Sequence, residues 1–197
     1  MKNNKEQLKI LKFLHQAEKL KTLLRHSWLS SGRRESVAEH TWRLLLMALV
    51  LNGYLKKKVN LEKILKILIV HDICEIYAGD TWAWKSKMQK AGKHEKEKAG
   101  MHKLLKSLPF KQAKEIYTLW DEYGKAASPE AKFAKSLDKI EAKIQHNEGH
   151  IKHWNKKEKV FNLVYGEEWC KFDEFIHSFW KLSRDEAALK VKTNEHF

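Results

Sequence analysis

The sequence predicts an all-α fold, a single helical bundle. Apolar residues recur at helical spacing along most of the 197-residue chain, and no stretch alternates apolar and polar residues as a half-buried strand does. The chain has only two Pro and eight Gly, and it is rich in Leu, Lys, Ala and Glu, which favour helix. Because 43% of its residues are hydrophobic, we expect one domain over 1–197, with a core over about 20–150 and C-terminal helices over about 160–190.

The first two helices are predicted from apolar spacing and a capping signal. Residues of about 5–28 keep helical periodicity, so we expect one helix there, followed by a polar loop. Ser36 and Glu39 have the spacing of a capping box and open a second helix. Gly53 and the lysines after it end that helix.

The later helices follow from similar signals. Asn60 is a suitable N-cap for a third helix that ends near Gly79, and Ser128 followed by Pro129 is a start signal for another. The other predicted helices cover about 86–107, Phe110 to Tyr123, and one or two segments within about 167–190. We expect the extreme C-terminus to be frayed.

Four polar residues lie where these helices should be buried, namely His40, the adjacent pair His71 and Asp72, and Asp138. A buried polar group costs free energy unless something binds it. One such histidine alone would more often be a hydrogen-bonded core residue, but imidazole and carboxylate together are the ligands of hydrolytic metal ions. We therefore predict one divalent metal site, which could take Mn, Co, Mg or Zn.

The predicted ligand set indicates catalysis and not a structural role. Two histidines and two carboxylates leave about two positions of an octahedral ion open, unlike the closed tetrahedral set of structural zinc. Glu75 lies one turn beyond His71 and is placed to act as general acid or base, or else as a partner of His71.

Three blocks of the sequence resemble the HD-domain phosphohydrolases, and among these the 5′-deoxynucleotidases. The blocks run from Glu35 to His40, from His71 through Glu75 to Asp80, and from Ser128 to Lys139. Their order, His, then His-Asp, then Asp, covers about residues 20–150. The resemblance implies a single HD-domain bundle and removal of the 5′-phosphate from (deoxy)nucleoside monophosphates. It also implies a homodimer.

The resemblance also implies residue roles. His40, His71, Asp72 and Asp138 would hold the metal, and an acidic residue at the place of Glu75 takes part in catalysis. Asp80 would hold the nucleotide, although it could simply be a helix-stop residue. Arg25 would contact the substrate, although it could instead interact with the C-terminus of its own helix.

Two departures from the family pattern concern the substrate. The family's nucleotidases often place an aromatic residue directly after the matching Arg, whereas here the aromatic is displaced to Trp28, which we expect to contact substrate. The loop after Asp80 usually carries a Pro, but here it contains Trp82 and Trp84, which would stack on a base, anchor the loop or contact a second subunit.

Several other features of the sequence have simple structural explanations. The net charge of +14 would attract an anionic substrate, but a solvated lysine-rich surface explains it as well, and no nucleic-acid-binding module is visible. We therefore do not expect nucleic acid as a partner. No apolar run is long enough to span a membrane, and two cysteines suggest a cytoplasmic protein. We expect His146, His150 and His153 to be surface residues.

Alternative functions remain open at this level. The same site could hydrolyse a nucleoside triphosphate, a cyclic nucleotide or an alarmone. The alarmone hydrolases place Glu-Asp where this chain has Glu75 and Ile76, which argues against that substrate. A non-catalytic helical module that binds a ligand or nucleic acid is the alternative from another class, and the complete ligand set with Glu75 argues against it.

Overall fold

The computed structural model describes residues 2–80 and 92–193, and it is almost entirely helical there. The predicted all-α class is confirmed. Its helices are α1 Lys2–Ala17, α2 Val37–Leu51, α3 Leu61–Val70, α4 Glu75–Ala78, α5 Lys93–Leu105, α6 Phe110–Lys125, α7 Pro129–Glu148, α8 Lys156–Val164, α9 Glu167–Cys170 and α10 Glu174–Thr193. Two short strands, β1 Leu24–Trp28 and β2 Arg34–Ser36, form an antiparallel hairpin, and short 3₁₀ turns lie at Glu18–Lys21, Asn52–Tyr54 and Ile151–His153.

The prediction of one helix over about 5–28, with no strand, is wrong. The helix ends at Ala17, and the chain continues through a 3₁₀ turn into β1. Arg34 of β2 donates a hydrogen bond to the His26 carbonyl oxygen at 2.7 Å, and Gln145 of α7 donates one to the carbonyl oxygen of Trp28 at 2.8 Å. These long-range bonds stabilise an extended backbone where local spacing favoured helix.

The predicted helix starts are confirmed. The Ser36 and Glu39 side chains form the reciprocal capping box, with Ser36 N–H donating to Glu39 Oε2 at 2.8 Å. Asn60 accepts from the backbone of Lys63 at 3.0 Å, and Ser128 accepts from the backbone of Ala131 at 3.1 Å. Short polar side chains satisfied the free N–H groups in the expected way.

The third helix is interrupted, contrary to the prediction that it continues to about Gly79. α3 ends at Val70, and a turn over 71–74 leads to α4. Hydrogen bonds of the i to i+3 type tighten the chain here, from Ile73 N–H to the Val70 carbonyl oxygen at 3.3 Å and from Glu75 N–H to the Asp72 carbonyl oxygen at 3.0 Å. His71 and Asp72 therefore lie on a turn and not inside a helix.

The C-terminal part has two helices over the range predicted for one or two, α9 and α10, and a further helix, α8, precedes them. Asn155 caps α8 with Glu158 in a second capping box, a signal present in the sequence. Of the charged helix predicted over about 86–107, the structure describes α5. Trp82, Trp84 and the chain end predicted to be frayed lie outside the described residues.

α7 runs through the main core and carries residues of the site on one side. Buried Phe133 and Leu137 of α7 pack with Leu44 of α2, Leu68 of α3 and Trp180 of α10. Burial of this set holds α2, α3 and α7 in fixed positions, which places their polar residues around one point. Among the described residues, no helix is both long and apolar enough to cross a membrane.

Candidate active site

A cavity of about 350 Å³ lies between β1, the turn after α3, α7 and α8. Its two ends differ in chemistry. We call one the charged end, lined by Arg25, Asp72, Glu75, Asp80, Lys93, Asp138 and Lys139. We call the other the aromatic end, lined by His26, His146 and Phe161.

The structure brings the four predicted metal ligands together at the charged end. Asp72 Oδ2 lies 3.0 Å from His71 Nε2 and 3.9 Å from His40 Nε2, and Asp138 Oδ1 lies 3.3 Å from His40 Nε2. Both Nε2 atoms are buried, and neither forms a hydrogen bond with any described residue despite these short approaches. Ligand atoms of His40, His71 and Asp72 lie within 4.8 Å of one another. Two unsatisfied imidazole nitrogens beside two carboxylates fit a divalent cation.

In both His40 and His71 the other ring nitrogen, Nδ1, contacts an oxygen atom of the protein. His71 Nδ1 lies 2.7 Å from the Leu68 carbonyl oxygen, so Nδ1 carries the proton and Nε2 presents its lone pair to the site. His40 Nδ1 contacts the carboxylate of Glu141, which is fully buried. Burial raises the pKa of Glu141, but His40, Arg25 and Arg43 outweigh it and lower that pKa to about 2.

The site electrostatically favours positive charge. Burial and Arg25 lower the pKa of His40, but Glu141 and Asp138 outweigh them and raise it to about 9. Asp138 is itself anchored through Oδ2, which accepts from the Tyr123 hydroxyl at 2.6 Å and from Lys139 at 2.7 Å. Its Oδ1 is left facing His40.

Glu75 and Asp80, predicted as catalytic and nucleotide-binding residues, both line the charged end. Glu75 is only 4% exposed, and its Oε2 has no hydrogen-bond partner among residues 2–80 and 92–193. Burial, reinforced by the carboxylates of Asp72 and Asp80, raises the pKa of Glu75 to about 10. The side chain therefore holds a proton close to the predicted metal ligands. Burial also raises the pKa of Asp80.

Arg25 lines the charged end, but it lies on β1 and not at the end of the first helix. Its Nη1 donates to Glu35 at 2.9 Å and to Glu141 at 3.4 Å. The sequence-level alternative, an interaction with the C-terminus of its own helix, is therefore wrong. Arg25 and the ligand His40 share one supporting carboxylate, that of Glu141.

Trp28 does not line the cavity. Its indole stacks on His153 with ring centroids 3.9 Å apart, and Arg34 lies over its other side at 4.5 Å. The structure thus gives Trp28 a place in the hairpin and not among the described residues that line the cavity. His26, two residues earlier, lines the aromatic end instead.

Several lining residues were missed from the sequence. Lys93 and Lys139 add positive charge to the charged end, and Lys139 could have been noticed because it follows Asp138 directly. His146 was expected on the surface, yet it lines the aromatic end. The sequence pattern that could have predicted this location is its position eight residues after Asp138, on the same face of α7.

An all-α bundle with a histidine and carboxylate site defines the class, and comparison with known proteins gives the family. A family model described as HD domain matches residues 17–180. A 5′-deoxynucleotidase of Danio rerio is 38% identical over 141 residues, which cover 71% of this chain and 68% of the relative, and one of Schizosaccharomyces pombe is 37% identical over 145 residues, covering 71% of each. The chain therefore belongs to the HD-domain family.

Solved structures agree with this result. A crystal structure described as a predicted metal-dependent phosphohydrolase from Magnetospirillum magnetotacticum superposes with a TM-score of 0.79 at 29% identity, covering 94% of both chains. The predicted resemblance to HD-domain phosphohydrolases, with 5′-deoxynucleotidases among the relatives, is confirmed.

Proposed function

We propose that this HD-domain protein is a metal-dependent phosphohydrolase that removes the 5′-phosphate from deoxynucleoside monophosphates. One observation carries the proposal: two buried imidazole nitrogens, without hydrogen-bond partners among the described residues, converge with the Asp72 and Asp138 carboxylates. They do so at the end of a cavity that also holds Arg25 and two lysines. Relatives named 5′-deoxynucleotidases support the reaction and the substrate class.

His40, His71, Asp72 and Asp138 would hold one divalent ion. A bound ion of this kind supplies Lewis-acid polarisation of a phosphoryl oxygen. The donor set accepts Mn, Co, Mg or Zn, and availability decides among them.

The chain's own residues would supply positioning and proton transfer. Arg25 and Lys139 neutralise the phosphate dianion, and Arg25 is fixed for this by Glu35. Glu75 would exchange a proton with the attacking water or with the leaving 5′-oxygen, because it is buried beside the site and one of its carboxyl oxygens has no partner in the part of the chain that the structure describes. Asp80 would contact the nucleotide from the same end.

Phosphate release from nucleoside mono-, di- and triphosphates tests the proposal. Activity should be measured after chelation and after re-addition of each metal, in the wild type and in Asp72→Ala. We expect release from monophosphates only, lost on chelation, restored by metal, and reduced at least about 10³-fold in Asp72→Ala.

Asp185→Ala is the matched control, because Asp185 is an exposed carboxylate on α10 paired only with neighbouring Arg184 in the described structure. It should behave as wild type. Turnover that survives both chelation and Asp72→Ala would refute the metal-dependent mechanism. If phosphate were released from triphosphates alone, the substrates would be nucleoside triphosphates and not monophosphates.

The proposal extends to a cytoplasmic homodimer. Both cysteines are buried and free, which is compatible with a reducing compartment. Large apolar side chains on one side of α2, Trp42, Leu46 and Leu49, are exposed in the single chain and offer a surface for a second copy. Sedimentation equilibrium would give the mass of the particle, and a monomer at micromolar concentration would contradict the dimer.

A further inference from the structure

The cavity extends well beyond the residues that would bind the phosphate. The spacing of its lining residues along α7 gives its length. Asp138, Ala142 and His146 are spaced by four residues, and all three line the cavity. Eight residues of α-helix rise about 12 Å, so Asp138 and His146 lie far enough apart to contact opposite ends of an extended nucleoside monophosphate. Between them, Ala142 projects only a methyl group.

α8 forms the facing wall and runs in the opposite direction. Near its start, Glu158 contacts His26, and in its last turn Asn162 donates to Asn147 at 3.0 Å, one residue after His146. After its end, the Tyr165 ring lies 5.6 Å from Lys139 Nζ. The two helices therefore connect the charged end to the aromatic end along the whole cavity.

The aromatic end offers ring faces, the imidazole of His146, and the Glu158 carboxylate, which contacts His26. Phe161 lines it, with its ring centroid 4.9 Å from that of Tyr165. His146 stacks on Trp154 at 4.3 Å, and neither of its ring nitrogens forms a hydrogen bond to any residue in 2–80 or 92–193. Burial lowers the pKa of His146 to about 4, more than Glu158 raises it, so the ring is neutral at physiological pH. A neutral imidazole offers one donor and one acceptor.

We propose that the aromatic end is the nucleobase site and that His146 hydrogen-bonds the edge of the base. This inference rests on the proposed function, because it takes the phosphate to lie at the charged end. The sugar would then lie over Ala142, and Phe161 would offer a face on which the base stacks. His146 is a specificity-determining residue in this arrangement and takes no part in phosphate chemistry.

Two variants of His146 separate base recognition from structural packing. His146→Phe keeps a ring that can stack on Trp154 but loses both hydrogen-bonding groups, whereas His146→Gln keeps a donor and an acceptor but loses the ring. The quantity to measure is kcat/KM for each common deoxynucleoside 5′-monophosphate divided by kcat/KM for 2-deoxyribose 5-phosphate, which has no base.

We expect this ratio to fall about tenfold in His146→Phe and to recover at least partly in His146→Gln, because one hydrogen bond to the base is removed and then restored. His102→Ala is the matched control, since His102 is an exposed histidine on α5 that stacks on Tyr117, and it should leave the ratio unchanged. An unchanged ratio in His146→Phe, or a ratio lowered in His146→Gln alone, would overturn the inference.

Binding of the phosphate-free deoxynucleosides to the whole protein, measured by calorimetry, distinguishes failure of this inference from failure of the proposed function. If no monophosphate is hydrolysed but nucleosides bind and His146→Phe weakens their binding, the base site stands and the proposed reaction fails. If monophosphates are hydrolysed but nucleoside binding is the same in His146→Phe, the reaction stands and the base site is wrong.

Discussion

The charged end and the aromatic end of one cavity are built differently. At the charged end two predicted metal ligands are held by a second group: Glu141, which also binds Arg25 and Arg43, contacts His40, and Tyr123 donates to Asp138. At the aromatic end His146 has a ring contact but no hydrogen bond within the described residues. Such a difference suits a reaction that needs fixed geometry at the phosphate, and it leaves the His146 ring available to hydrogen-bond the base.

The largest expected effect is at the charged end. Glu75→Gln removes the proton-exchanging group and keeps the shape of the side chain, so we expect kcat to fall by about 10²–10⁴ while metal affinity changes little. Steady-state kinetics and a metal titration of the same preparation measure the two quantities. Glu174→Gln, at a largely exposed glutamate, is the control. If Glu75→Gln kept the wild-type kcat, Glu75 would have no part in the mechanism.

A smaller effect is expected from the carboxylate behind His40. Glu141→Gln removes the charge that orients the imidazole, and we expect metal affinity to weaken about 10–100-fold. Competition with a metal-binding dye measures this affinity.

Glu148→Gln is the matched control for that experiment, because Arg43 also donates to Glu148 at 2.6 Å but Glu148 is exposed and distant from the ligands' ring nitrogens. Its metal affinity should stay within about twofold of wild type. Equal weakening in both variants would assign the effect to Arg43 and not to the orientation of His40.

How much could be predicted from the sequence also differs between the two ends. Asp72 follows His71 directly, and Glu75 follows one turn later, so short motifs revealed most of the charged end. The helix caps were equally local. The hairpin that carries Arg25 was missed because its strands are stabilised by Arg34 and by α7, contacts that no local pattern encodes. The aromatic end was missed for the same reason, since the contact between His26 and Glu158 joins segments 132 residues apart.

The smallest expected effect is at the turn after α8, beside Lys139. Gly166, between α8 and α9, has φ of +80°, and a Cβ there would lie 2.4 Å from the Cβ of Lys139. Since neither atom is the flexible end of a side chain, Gly166→Ala must shift the backbone that carries Tyr165 or Lys139. We expect a loss of about 1–2 kcal/mol in unfolding free energy from the backbone conformation, and a severalfold rise in KM from the shift.

Gly32→Ala separates those two consequences, because Gly32 has a similar φ of +85° but no atom of the described residues lies within 4 Å of the added Cβ. It should lower the melting temperature through backbone strain and leave KM for nucleotides unchanged. If Gly166→Ala also left KM unchanged, the close approach of the turn to Lys139 would not set the position of the α8 wall. The charged end would then bind its phosphate independently of that wall, and the two ends would be coupled only through α7.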